Sequence, residues 1–201
     1  MLNLIRRDVI LQKKQLMIFI PYILVFIVLG TPAILTYLVA CIFIPLNAYA
    51  YDEKVETNIL LNSLPYTRTE IIASRYLGAI VYMVASIGIT SLALLVLDKT
   101  FTWADIAIAG GLFLLFAAFT FPLFQLLKPG YISTVILVSF VLIALIFKRL
   151  SDSLTQYVTA ISEFINRFSI PNLYVGIALI VTGLYVISWL MTTIIYKRKA
   201  F

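Results

Sequence analysis

Of the 201 residues, 63% are hydrophobic and only 12% charged, with a formal net charge of +6. Soluble domains lie nearer half apolar and a quarter charged, so a water-soluble fold has nowhere to put this much apolar surface. The apolar residues come in blocks of span length, which indicates an all-α polytopic membrane protein. The alternating segments of roughly ten residues that an outer-membrane barrel needs are absent from the sequence.

In chain order, Met1–Gln15 places Leu2, Ile5 and Val9 on one helical face, with Arg6, Arg7, Lys13 and Lys14 among the polar positions. That pattern describes either a helix lying on the inner membrane surface or a charged tail ahead of the first span. It lacks the charged tip, apolar core and small-residue cleavage site of a signal peptide. A first span is predicted over Leu16–Leu29, with Pro21 inside it. Crossing about 30 Å of hydrocarbon takes roughly twenty residues, so this segment spans only if its helix starts a turn earlier and Lys13 and Lys14 snorkel. Gly30-Thr31-Pro32 is a turn signal before a second span over Ala33–Tyr51, which holds the single cysteine, Cys41. One cysteine in an apolar block makes no disulfide framework and reads as a small buried side chain.

Asp52 to Glu70 forms the longest inner connection and the most charged stretch of the chain. Val55, Ile59 and Leu60 fall at i, i+4 and i+5, a spacing that suits a short amphipathic helix. Its stripe either docks into another protein or packs on the inner membrane face. Pro65 ends it, and Thr67 or Thr69 can cap the helix that becomes the third span, Ile71–Leu97. A fourth span follows over Ala104–Leu127, then the turn Lys128-Pro129-Gly130 and a fifth span over Tyr131–Phe147.

Between Lys148 and Pro171, the residues Leu150, Leu154, Tyr157, Val158, Ile161, Phe164, Ile165 and Phe168 recur at helical spacing among polar neighbours. This is an amphipathic helix too polar to span. It seals the outer surface by default, with shaping of an exit path as the open alternative. Leu173–Tyr196 is the sixth span, followed by a basic tail.

With both termini inside, 11 of the 15 lysines and arginines fall on the inner side and 4 on the outer. The basic excess is therefore a topology signal, and nucleic acid drops out as a partner. Trp103, and Tyr51, Tyr131 and Tyr196 at inner ends, suit interfacial belts. Ser74 with Gly78, and Ala107 with Gly111, are small-residue pairs at helix-contact spacing, and Gly110-Gly111 reads as close helix packing.

The sequence contains no histidine, one cysteine, no carboxylate cluster and no phosphate-cradling P-loop. A membrane-embedded enzyme is therefore disfavoured, and no cofactor or metal is expected in the chain itself. No span carries a charge near its centre, although ion-coupled transporters normally need one there. Most of the mid-span polar residues Asn47, Ser86, Thr90, Ser91, Ser133, Thr134, Ser139 and Thr182 are expected to make helix–helix hydrogen bonds. Uphill transport would have to be powered by a partner.

The stretch Tyr51 to Gly78 resembles the segment after span two in short bacterial ABC-2 type permeases. Asp52-Glu53-Lys54 stands for the acidic-basic start, Leu61-Asn62-Ser63-Leu64-Pro65 for an "LNSLP" phrase, Arg68 for the following basic residue, and Arg75-Tyr76-Leu77 for the entry to span three. The layout agrees across residues 1–201 as a single transmembrane domain: 1–15 inner interfacial helix, 16–51 two spans, 52–70 loop, 71–147 three spans, 148–171 outer helix, 172–201 last span and tail. The resemblance implies an ABC exporter subunit in a bacterial cytoplasmic membrane, paired with a second permease chain as a homodimer or with a sister chain. It also implies a separate ATPase that binds the ATP and Mg. The inner loop would be the coupling helix, with Asp52, Glu53, Lys54, Val55, Glu56, Ile59, Leu60, Asn62, Leu64, Pro65 and Arg68 facing that ATPase. Permeases of phenol-soluble-modulin exporters and of peptide-antibiotic resistance systems are similar in size, which implies an amphipathic or antimicrobial-type peptide cargo. Nothing in the spans identifies a pathway, so a non-transporting assembly or immunity factor that binds a peptide or membrane partner stands as the rival reading.

Overall fold

The computed structural model describes residues 13–54, 67–126 and 170–198. Among them all regular structure is helical: α1 Lys13–Val28, α2 Ala33–Lys54, α3 Arg68–Val96, α4 Trp103–Leu126 and α5 Ile170–Arg198. Helices are expected here because lipid offers no partner for a free backbone N–H or C=O, and a helix satisfies both internally.

The helix ends follow local chemistry. α1 stops at Gly30, whose φ of 71° only glycine adopts without cost. The Gly30 N–H donates to Ile27 O and the Thr31 N–H to Phe26 O, the paired bonds of a Schellman motif. The same pair closes α3, where Asp98 N–H donates to Leu95 O and Lys99 N–H to Leu94 O. There the left-handed residue is Asp98, at φ 51°. α3 and α4 both begin with a capping box. At α3 the Glu70 N–H donates to Thr67 Oγ1 (3.2 Å) while the Thr67 N–H donates to Glu70 Oε2 (2.9 Å). At α4 Thr102 and Asp105 repeat the exchange, at 3.3 and 2.7 Å. Of the two caps open to the third predicted span, Thr67 is the one used.

Cross-helix contacts fix the directions. Tyr37 meets Ser91, and Cys41 reaches Met83 O, so α2 runs antiparallel to α3. Arg68 reaches Lys197 and Tyr76 reaches Ser188, so α3 is antiparallel to α5. Ser188 meets Ala118, and the Ile106–Leu115 stretch of α4 faces Tyr174–Thr182, so α4 and α5 are parallel. α5 packs mainly on α4 and also on α3, while α2 bridges α1, α3 and α4. One buried cluster joins Tyr76, Phe113, Phe121, Tyr185 and Tyr196; a second joins Phe19, Ile23, Tyr37, Ile44 and Tyr82.

Arg68–Val96, Trp103–Leu126 and Tyr174–Arg198 are long and apolar enough to cross a bilayer, matching the third, fourth and sixth predicted spans. Met17–Val28 and Ala33–Asn47 are shorter apolar helices in the first two. The first helix includes the turn before Leu16, from Lys13, and continues through Pro21. The predicted N-terminal helix, fifth span and outer amphipathic helix lie outside the described residues.

Three expectations change. Tyr196 is fully buried, so it belongs to the core and not to an interfacial belt, whereas Trp103 is 86% exposed. Among the described residues, a Cβ built on Gly111 meets nothing within 4 Å and one on Gly110 meets only the Met83 Sδ at 3.8 Å, so neither glycine permits a tight crossing between the described helices. Among the mid-span polar residues that are described, only Ser91 bonds across helices, at 2.8 Å from Tyr37 Oη. Asn47 and Thr182 turn back onto carbonyls of their own helices, as short polar side chains do when the i−4 oxygen is within reach.

The candidate coupling site at one end of the bundle

The 52–70 connection is flanked on both sides by helix. α2 continues through Asp52, Glu53 and Lys54, and α3 begins at Arg68, so the connecting segment is shorter than the charge pattern suggested. Val55, Glu56, Ile59, Leu60, Asn62, Leu64 and Pro65 lie outside the described residues. Because α2 and α3 are antiparallel, both ends of this segment emerge at the same end of the bundle. Lys197 and Arg198, at the end of α5, share that end, where positive charge complements the helix C-terminus.

The exit from the segment is fastened at two levels. The Thr67–Glu70 box fixes the direction in which the chain enters α3, with Thr67 Oγ1 also donating to Glu70 Oε2 at 2.8 Å. One residue on, Arg68 Nη1 donates to Lys197 O at 2.9 Å. That oxygen is in the last turn of α5, where carbonyls have no partner within the helix. Arg68 thus acts as a C-cap for a helix more than a hundred residues away.

About 12 Å further along α3, at 1.5 Å per residue, Tyr76 is fully buried at a junction of three helices. Its hydroxyl lies 2.8 Å from Ser188 Oγ and 2.7 Å from Thr192 Oγ1. Ser188 Oγ donates to Ala118 O at 2.5 Å, and Tyr185 Oη donates to Tyr76 O at 2.9 Å. Each hydroxyl has one proton to give, so the direction of the chain follows. Ser188 has committed its proton to Ala118, so Tyr76 donates to Ser188, and Thr192 donates to Tyr76. The order Thr192 to Tyr76 to Ser188 to Ala118 O joins α3, α4 and α5 through one continuous run of donors. The Tyr76 ring stacks on Trp189, with centroids 5.8 Å apart, and meets Phe121 and Tyr185 edge-on at 5.1 Å.

Sequence patterning singled out Arg75-Tyr76-Leu77 by its wording but did not find the partners of Tyr76. A signal was present: Tyr185, Ser188, Thr192 and Tyr196 recur at i, i+3, i+7 and i+11, a hydroxyl-bearing stripe along one face of the helix. Among the described residues no group of His, Cys, Asp or Glu side chains is arranged to hold a metal ion.

A model of the family described as ABC-2 family transporter protein matches residues 3–197. The chain belongs to the ABC-2 transporter family. No curated protein and no solved structure matches it. Membership makes this ABC-2 protein a membrane protein of the kind that serves as the permease of an ABC transporter, and it carries with it an ABC ATPase partner in general terms.

Proposed function

We propose that the chain is the permease subunit of an ABC exporter. It crosses the bacterial cytoplasmic membrane six times with both termini inside, and it is driven through the Asp52–Arg68 connection by a separate ATPase. The observation that carries this reading is the match over residues 3–197. The fastening of Arg68 to the α5 terminus supports the choice of coupling segment, because a push delivered there reaches two helices at once. The parallel course of α4 and α5 supports the span count. The chain leaving Leu126 has to return to the end where α4 began, and Tyr131–Phe147 is an apolar run able to make that crossing.

ATP and Mg belong to the partner, and the chain itself catalyses nothing. Two permease chains pair, and ATP-driven approach of the ATPases biases the pair between states open to opposite sides. The cargo is an amphipathic or antimicrobial-type peptide. Affinity purification of the tagged chain in mild detergent tests the reading: an ATPase should co-purify with it. Val55→Asp, Ile59→Asp or Leu64→Asp should weaken that association. Normal recovery of the ATPase with all three variants sinks the coupling assignment. No ATPase with the unaltered chain favours a non-transporting membrane factor instead.

A further inference from the structure

The two ends of α3 are held differently. At the end bearing Arg68, hydrogen bonds from α3 reach α5 at Lys197 O, Ser188 and Thr192, and through Ser188 they reach α4. Toward the other end, Cys41 Sγ reaches Met83 O and Tyr37 meets Ser91, and both contacts lead to α2. Between these two contacts, Ser86 Oγ and Thr90 Oγ1 are fully buried with no hydrogen-bond partner among the described residues. Beside them on the same helix face, Met83 and Ile87 face Tyr174–Thr182 of α5 across an apolar groove of about 750 Å³ floored by α4. α3 and α5 are therefore joined at one end and separated at the other.

We propose that Tyr76 is a positioning residue for transport: it clamps the loop-proximal ends of α3, α4 and α5 into one unit, so that motion delivered through the loop appears as a change of separation between α3 and α5 across the groove. The inference rests on the reading of the chain as an ATPase-driven permease. A hydroxyl relay suits this role because its bonds are directional and mutually polarising, so the three helix ends hold one register. The far half of α3 has no such register, and its two unmet hydroxyls favour any second arrangement that supplies them with partners.

The test uses the full chain with its ATPase in lipid nanodiscs, in a Cys41→Ala background carrying spin-label pairs. Thr69→Cys with Arg198→Cys reports the clamped end, and Val96→Cys with Val175→Cys the far end; all four sites are exposed. Distances are read without nucleotide and after trapping with ATP and vanadate. The clamped pair is expected to keep one narrow distance in both states while the far pair shifts. Tyr76→Phe, which keeps the ring and removes the hydroxyl, should broaden the clamped pair and abolish the far shift while ATP hydrolysis persists. Phe113→Leu, which loosens the same core but leaves the relay intact, should preserve the far shift. A clamped pair that separates on trapping overturns the inference, as does a full far shift in Tyr76→Phe or its loss in Phe113→Leu. These outcomes leave the permease reading standing if the ATPase is bound and hydrolysing. Failure of the unaltered chain to bind any ATPase overturns both together.

Discussion

The Tyr76 hydroxyl lies 2.7 Å from Oγ1 of Thr192, across 116 positions of sequence. Both residues are fully buried, and the contact sits where α3 and α5 come together at the loop end. Buried hydroxyls in lipid have no water to fall back on, so this pairing helps set the register of the two helices.

The direction of the relay ranks its members. Ser188→Ala removes the acceptor for Tyr76 and the link to Ala118 O, and is expected to cost about 1–2 kcal/mol. Thr192→Val leaves the Tyr76–Ser188–Ala118 run intact and should cost less, under about 1 kcal/mol. Unfolding in mixed micelles with increasing SDS measures both. A larger loss for Thr192→Val would mean that Tyr76 gives its proton to Thr192 instead of Ser188.

The capping boxes give a second prediction. Thr67→Ala should destabilise the chain by about 1 kcal/mol and Thr102→Ala by a similar amount, since each leaves a first-turn N–H unmet. Glu70→Gln keeps an acceptor for the Thr67 N–H and should stay close to the unaltered protein. Thermal melts of the detergent-solubilised chain separate these cases. Equal losses for Thr67→Ala and Glu70→Gln would count against the reciprocal geometry.

How far this architecture could be read from sequence depended on whether water or lipid faces the residue. Thr67 and the Gly30-Thr31-Pro32 turn were readable because caps and turns answer to local backbone chemistry, which is the same in any solvent. Thr102-x-x-Asp105 carries the same signature and could have been read in the same way. The inward face of α5 was not readable from hydrophobic periodicity, which disappears where lipid is as apolar as a protein core; the spacing of its hydroxyls was the one mark it carried. Tyr196 was misplaced for the related reason that a tyrosine ring with a polar tip fits an interface and a hydrogen-bonded core equally well. The loop residues from Val55 to Pro65, on which the coupling assignment depends, lie outside the described segments.

Backbone conformation at the two Schellman turns yields opposite outcomes for opposite substitutions. Gly30→Ala places a Cβ at φ 71° and should cost about 1 kcal/mol, although no neighbour lies within 4 Å of it. Asp98→Gly relieves the same strain at φ 51° and should gain up to about 1 kcal/mol. Scanning calorimetry of the purified chain checks both signs.

The hydroxyls along α3 provide a fourth prediction. Ser91→Ala removes the bond to Tyr37 and is expected to cost about 1 kcal/mol. Ser86→Ala and Thr90→Val remove hydroxyls that have no hydrogen-bond partner among the described residues, and should be neutral or stabilising by up to about 1 kcal/mol. A marked loss at Ser86 or Thr90 in the same SDS titration would show that these hydroxyls do have partners.

Cys41 is the only thiol in the sequence, and it is fully buried where α2 meets α3, with Sγ 3.9 Å from Met83 O. The unaltered chain therefore contains a chemical clock. A maleimide can reach that sulfur only when α2 and α3 part, so the rate of modification counts how often this seam opens. Comparing that rate with and without nucleotide would follow helix movement in the wild-type protein before any residue is changed.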